Sequence, residues 1–404
     1  MRIVDSVIIV LLVIVGYCYL LYPLIIRLLA KLFPKPSRSD ASFRPRVSIV
    51  LAVYNEERVI ERCIESLLAL DYPREFLEII IGSDGSSDRT NEIVKSYGDR
   101  YSFLHPFLFP ERRGKMMVLN DLVSKASGEI LYFVDADVTL SPNSILKQTQ
   151  HFADPSVGAV AGAYSIQSLK EGALFETEKD YIFVEESIRT NESLFGSTIG
   201  LFGGNYSMRR IFWQPLPDGL VHDDLFSVLN ILHRSKRIIF EPASVSIDVF
   251  ERTMKEEFRR KSRFSSRGFH TLSFFPKLLL PSAGKTFFLL WSHKLFRWLT
   301  PLFLILVLLA SLFGAVHYGG MLYEVILWGA TVATACTLVG WFGEMTKIRI
   351  PIIRQISWLM IMSIAYAAGT IKFILKRDKA MWIPATRPAS STPSFSVKEG
   401  LAKK

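Results

Sequence analysis

Four apolar runs constrain this chain more than any other feature, because each is about the length that crosses a bilayer as a helix. They extend from Ile3 to Ile26, Leu295 to Tyr318, Met321 to Phe342 and Ile356 to Leu375. Hydrophobic residues make up 50% of the chain, a share that these runs raise. The first run is long and lacks a small-residue cleavage site, so it reads as a retained anchor over residues 1–27 rather than a signal peptide. About three spans are expected over residues 295–376.

The formal net charge of +10 raises nucleic-acid binding as an alternative. The basic residues, however, crowd beside the apolar runs. Arg27, Lys31, Lys35, Arg38, Arg44 and Arg46 follow the first, and Arg252, Lys255, Arg259, Arg260, Lys261, Arg263 and Arg267 precede the second. The positive-inside rule then puts the region between them in the cytoplasm, and the same charges suit anionic lipid headgroups. Membrane lipids are therefore the expected partner, and no nucleic acid. Lys376, Arg377, Lys379 and Arg387 favour the inside for the tail as well. One span before and three after the soluble region would put both termini outside, so either charge loses or one run is re-entrant or interfacial. Of the three cysteines, Cys18 and Cys336 fall in apolar runs and Cys63 stands alone, so no disulfide or zinc framework is implied.

From residue 45 to 268 the pattern alternates strand and helix. Val47–Val53 is a β-rich run, and Asn55-Glu56-Glu57 opens a helix with Val59, Cys63, Ile64, Leu67 and Leu68 at helical spacing. Leu77–Ile81 is a second strand, closed by the polar turn Gly82–Asp88. A helix over Met116–Ala126 precedes the strand Ile130–Val134. This alternation predicts an α/β domain with a mostly parallel sheet.

The Ile130–Val134 strand runs into Asp135-Ala136-Asp137. Two carboxylates at a strand end can hold Mg²⁺ or Mn²⁺ against a diphosphate, and the metal neutralises the leaving group. Asp-x-Asp also occurs in plain turns. Here Asn55-Glu56 and Asp84 fall at other strand ends, and ligands of such sheets bind at the carboxyl edge. The competing reading makes each a helix cap or turn residue, for which Ser86 and Asp88 are well suited.

The ordered set of motifs resembles the membrane-integrated family 2 glycosyltransferases of GT-A fold. It comprises Val47–Glu56, Ser83–Thr90, Gly114-Lys115 with Leu119-Asn120, Asp135-Ala136-Asp137, Gly203–Arg210, His222–Leu225 and Arg260–Phe264. One leading and about three trailing spans look like the chitooligosaccharide synthases, with hyaluronan, poly-N-acetylglucosamine and cellulose synthases more distant. The resemblance implies inverting transfer from a nucleotide-sugar donor, UDP-linked, to a growing glycan or a lipid acceptor. It places Tyr54, Glu56 and Asp84 around the base and ribose, and Lys115, Asp135, Arg260 and Arg263 on the donor. Asp137, with Asp135, would hold the metal. Gly204, Asn205 and Phe264 would meet the acceptor. Asp224 matches the catalytic base, with Asp223 beside it where the family often has Glu; the pair could instead cap the helix that follows.

One departure matters. Processive members carry a Trp where this chain has Phe264, which keeps a flat apolar face but loses the indole N–H. Arg259 and Lys261 also read as a juxtamembrane grip on lipid phosphates. Beyond them, Phe269 to Leu280 is interrupted by Pro276, with Pro281 following, so residues 269–292 are expected at the interface. Residues 387–404, rich in Ser, Pro and Lys, read as a disordered tail.

Overall fold

The computed structural model describes residues 2–168, 173–220, 222–249, 254–346 and 351–375. The tail basic residues Lys376, Arg377, Lys379 and Arg387, Arg252, and segment 387–404 lie outside the described residues. Two compact units divide the chain. One gathers Met1–Leu32, Glu171–Tyr181 and Arg252–Lys379; the other gathers Phe33–Lys170, Ile182–Glu251 and Ala380–Lys404.

The second unit is built on an eight-stranded sheet. Its strands are β1 (Val47–Val53), β2 (Leu77–Asp84), β3 (Leu104–Phe109), β4 (Ile130–Phe133), β5 (Val138–Leu140), β6 (Val157–Gln167), β7 (Tyr206–Arg209) and β8 (Arg237–Val249). The order is β3-β2-β1-β4-β7-β6-β8-β5. β3, β2, β1 and β4 pair in parallel, as do β6 and β8, while β7 and β5 run antiparallel to their neighbours. The sheet is thus mostly parallel, as the alternation predicts. β3 is, like β5 to β8, an element that the sequence reading does not mark. Its Pro106 cannot donate to a ladder, which an edge strand tolerates.

The parallel strands are nearly continuous Val, Ile and Leu because helices cover them. Ile49, Leu51, Ile79, Ile81 and Tyr132 pack with Ile60, Cys63, Ile64 and Leu67 of the Ile60–Leu68 helix in one core. That helix starts later than its sequence suggests, at Ile60, because Asn55 takes a left-handed φ of 53° and residues 57–59 form a turn. A buried polar tie crosses the sheet's other half. The Asn205 carboxamide donates to the carbonyls of Ala163 (3.0 Å) and Ser244 (2.9 Å) and accepts from Tyr132 (2.6 Å) and Gln148 (2.8 Å). Gly162 makes this possible, since a Cβ there would lie 2.2 Å from the Asn205 amide nitrogen.

Among the described residues, the first unit contains four helices long and apolar enough to cross a membrane: Ile3–Leu32, Lys285–His317, Met321–Gly340 and Ile356–Ile374. The second begins ten residues before the apolar run that marks it in sequence. Ser292-His293-Lys294 breaks the apolar run, yet contains neither Gly nor Pro, so the helix continues through it as a π-turn, Leu290–Leu295. The first helix carries a π-turn too, Tyr17–Leu21, and Tyr17 meets Ser292 at 2.8 Å. The basic Met254–Ser273 helix packs on Pro351–Ile374 so closely that a Cβ on Gly369 would lie 2.2 Å from the Ser262 carbonyl. Ser265 and Thr370 are joined across this contact at 3.0 Å, the small-residue mode of helix packing.

Candidate active site

Because β1, β2 and β4 are parallel, their carboxyl ends share one edge, and the loops there carry most of the expected residues. The loop after β1 is knitted to the loop after β2. Asn55 Oδ1 accepts the Ser87 amide (2.8 Å), the Glu56 amide donates to Thr90 Oγ1 (2.8 Å), and the Glu57 amide donates to Asp88 (3.1 Å). Asp88 also accepts the Thr90 amide at 3.0 Å, an Asx-type turn just ahead of the Thr90–Arg100 helix, whose N-cap position is taken by Arg89.

Asp84 ends β2 and is 2% exposed. Its two oxygens accept the backbone amides of Arg113 (2.7 Å) and Gly114 (2.8 Å). The carboxylate thereby fastens the loop ahead of the Lys115–Lys125 helix, and it shapes the rim through that loop. On the same rim the Arg112 guanidinium lies 4.0 Å from the centre of the half-buried Tyr54 ring, a flat cationic stack. Glu56, nearly buried, sits directly after Tyr54 and Asn55.

Gly114, at φ 94°, turns the chain so that Lys115 heads its helix. Lys115 Nζ lies 2.8 Å from Asp135 Oδ1 and 3.2 Å from Asp223 Oδ2. Burial alone would lower the Lys115 pKa, but the two carboxylates outweigh it and raise it well above the usual lysine value. The residue is therefore a fixed cation. Asp135 keeps a third of its side chain exposed, and Asp137, two residues on, is half-buried.

Asp223 and Asp224 open the Asp223–His233 helix, where the backbone dipole favours negative charge. They differ sharply. Asp223 turns to Lys115 and is 8% exposed. Asp224 is only half-buried; its Oδ2 lies 3.8 Å from where a Cβ on Gly203 would stand, and Asp135 Oδ2 lies 3.6 Å from the same point. The bare backbone of Gly203 thus leaves a gap between the two carboxylates. Gly204 beside it accepts no side chain, since a Cβ would meet Val138 at 2.6 Å.

Two expectations are corrected. Asn205 is fully buried and its donors and acceptor are spent on the sheet, so it faces the core rather than an acceptor sugar. Arg260 Nε lies 2.9 Å from Glu257, and its Nη2 lies 2.8 Å from Glu178. With Lys261, also paired to both glutamates and buried, it ties the Met254–Ser273 helix to Ala173–Phe195. Burying two acids demands cations, and these two supply them, so neither stands ready for a diphosphate or a lipid phosphate. Arg263 and Phe264 lie on the same helix, half-buried. Two residues escape a reading of the sequence: Gly203, whose use is an absence, and Tyr206. Tyr206 is fully buried on β7, and its hydroxyl has no hydrogen-bond partner among the described residues.

The family description "Glycosyl transferase family 2" matches residues 48–213. A probable glycosyltransferase, YdaM, of Bacillus subtilis is 24% identical over 236 residues, 56% of each chain. The poly-beta-1,6-N-acetyl-D-glucosamine synthase of Staphylococcus epidermidis is 33% identical over 153 residues, 37% of this chain and 36% of its own. The chain thus spans about half or less of these relatives' length. Among solved structures, the mannosyltransferase PcManGT of Pyrobaculum calidifontis, in complex with GDP-Man and Mn²⁺, superposes with a TM-score of 0.68 at 23% identity. That likeness covers 93% of this chain and all of the other. The matched stretch contains β1 to β4 with the Lys115 and Asp135-Asp137 edge, so residues 48–213 are similar to glycosyltransferase family 2, and the fold is GT-A.

Proposed function

We propose that this protein is an inverting glycosyltransferase that moves a sugar from a UDP-linked donor to a growing extracellular glycan. It is read as an integral membrane protein whose catalytic domain faces the cytoplasm. The observation that carries the reading is the division of labour between Asp223 and Asp224. Asp223 holds Lys115, while Asp224 faces Asp135 across the Gly203 gap. Inversion needs one carboxylate to take the proton of the acceptor hydroxyl as its oxygen bonds to the anomeric carbon. The bond to the diphosphate breaks on the opposite face, and the electron pair leaves with the nucleotide. Asp224 is the base in this reading, with the Asp223 charge beside it. Tyr54 and Arg112 bound the nucleobase, and Lys115 neutralises the departing phosphate. The Gly203 backbone leaves room for the acceptor, and Gly204 lets the chain pack against Val138 beside it.

The residues at the Asp135-Asp137 turn fit a divalent metal. Both offer oxygen ligands, and no group of three or more His, Cys, Asp or Glu forms a full cage among the described residues. That suits Mg²⁺ or Mn²⁺, which take one or two carboxylates and complete their shell with phosphate oxygens and water. When bound, the ion supplies charge neutralisation at the diphosphate. PcManGT was solved with Mn²⁺, which supports the same choice.

A polymerising role is supported by the poly-beta-1,6-N-acetyl-D-glucosamine synthase relative and by more apolar helices than an anchor needs. Phe264 in place of Trp favours a second reading, transfer of one sugar to a lipid. The test is purified full-length protein in detergent, screened with a panel of nucleotide-sugars for nucleotide release, followed by mass spectrometry of products. Ladders of products support the glycan, and a one-sugar glycolipid supports the lipid. No release with any donor overturns both.

A further inference from the structure

Tyr206 is an odd choice for a core position. Its ring is locked: β7 pairs it with Phe133 of β4, the two rings stack at 4.8 Å and 15°, and Trp213 covers Phe133 at 5.4 Å. Phe would fill that slot equally well and would leave no buried hydroxyl unsatisfied. A buried polar atom without a partner costs stability, so its retention needs a reason.

The surroundings supply one. Phe133, its register partner, precedes Asp135 by two residues; Asp135 binds Lys115, and Lys115 binds Asp223. Burial raises the Tyr206 pKa well above the usual tyrosine value, and the Asp223 charge is the next cause. Ser227, one turn along the helix from Asp223, bears on it as well without closing a bond of normal geometry, and Asp224 and Lys115 follow. The phenol thus keeps its proton, and toward a carboxylate it donates. Asp223, almost fully buried, cannot be left without a donor. Yet its present donor, Lys115, is the cation that a diphosphate arriving at Asp135 would attract.

We propose that Tyr206 is a positioning residue: a reserve donor that takes over Asp223 when Lys115 is drawn to the nucleotide diphosphate. The inference rests on the reading of Lys115 and Asp135 as the donor-phosphate site. Without donor, Asp223 is held by Lys115 and the Tyr206 O–H is idle. With donor, Lys115 turns to phosphate and the O–H closes on Asp223, which keeps the first turn of the helix, and Asp224 with it, in place.

The test uses full-length protein in detergent and Tyr206→Phe. Thermal unfolding is followed without nucleotide and with UDP or GDP plus Mn²⁺, and turnover is measured with the nucleotide-sugar that the screen identifies. Tyr206→Phe should match or exceed wild type in stability without nucleotide, yet gain a smaller upward shift from nucleotide. Its kcat/KM for the donor should fall about tenfold, the size of one hydrogen bond made once donor is bound, with the loss shared between a higher donor KM and a lower kcat as Asp224 is held less well. In a double-mutant cycle, adding Tyr206→Phe to Asp223→Asn should cost little further. An equal nucleotide shift and equal kcat/KM would make Tyr206 mere filler and overturn the proposal. So would a variant that fails to fold, because the hydroxyl would then already be partnered. A wild type that responds to no nucleotide would instead refute the donor-site reading itself.

Discussion

Lys115 Nζ stands 3.2 Å from Asp223 Oδ2, and this one ion pair distinguishes two adjacent carboxylates of the same residue type. Asp223 is thereby spent on a buried cation, whereas its neighbour Asp224 is half-buried and faces the gap at Gly203.

Asp224→Asn is nearly isosteric, so donor affinity should persist while transfer falls by about 10²–10⁴, the usual range for a positioned base. Asp223→Asn should weaken donor binding as well, because Lys115 loses a partner. Steady-state kcat and KM for both variants check the assignment; a mild Asp224→Asn beside a severe Asp223→Asn reverses it.

Asp137→Ala should abolish turnover, and chelation of the wild type should do so reversibly, with Mn²⁺ or Mg²⁺ restoring activity. A contact that stabilises charge in the transition state is worth several kcal/mol, hence orders of magnitude in rate. Full activity in excess chelator would remove the metal from the scheme.

Arg260→Ala should destabilise the helical unit rather than weaken donor binding. Removing a partner from a buried ion pair costs about 3–5 kcal/mol, and the partial exposure of Arg260 puts it at the low end. Glu178 and Glu257 would lose one cation and keep Lys261. Thermal unfolding should drop while the nucleotide Kd holds; the reverse pattern would return Arg260 to the donor site.

Stability of the catalytic unit should fall in acid. In Glu241, burial would raise the pKa, but the His151 and Ala243 hydrogen bonds outweigh it. In Asp154, the Ser156 and Arg38 bonds and the Arg237 charge do the same. Both carboxyls lie below their ordinary values. Their stabilisation is therefore full above the unfolded pKa, about 4 to 4.5, and is lost as pH falls through the lower folded one. Glu241→Gln should lower stability at neutral pH and flatten its decline below about pH 4.5, read from unfolding curves across pH.

Phe264 should grip the chain if a glycan grows here, because sugar C–H faces pack on aromatic rings and Trp offers more area. Phe264→Trp should then lengthen products and Phe264→Ala shorten them. Product size that never changes across active variants would favour the lipid acceptor.

The edge of the sheet was legible because carboxylates follow Val/Ile/Leu runs, and a parallel sheet brings such strand ends together. The four apolar helices were legible from composition, apart from the polar Ser292–Lys294 turn that hides the start of the second. Asn205 and Arg260 misled for a shared reason. A motif fixes which residue stands at a position but not which way it faces, and both are spent on buried partners far apart in sequence, Ala163 and Ser244 for one, Glu178 for the other. Tyr206 was invisible because an unmade hydrogen bond leaves no trace in a sequence.

The Asp84 clasp has an evolutionary corollary. It grips main-chain N–H groups of residues 113 and 114, not side chains. A change of side chain at position 113, proline excepted, would keep this clasp and lose only the Arg113 contacts to Asp121 and Phe109, with Lys115 still heading its helix. On the proposed reading the rim is an interchangeable cassette on a fixed mount, and a change of nucleobase preference would be sought there first.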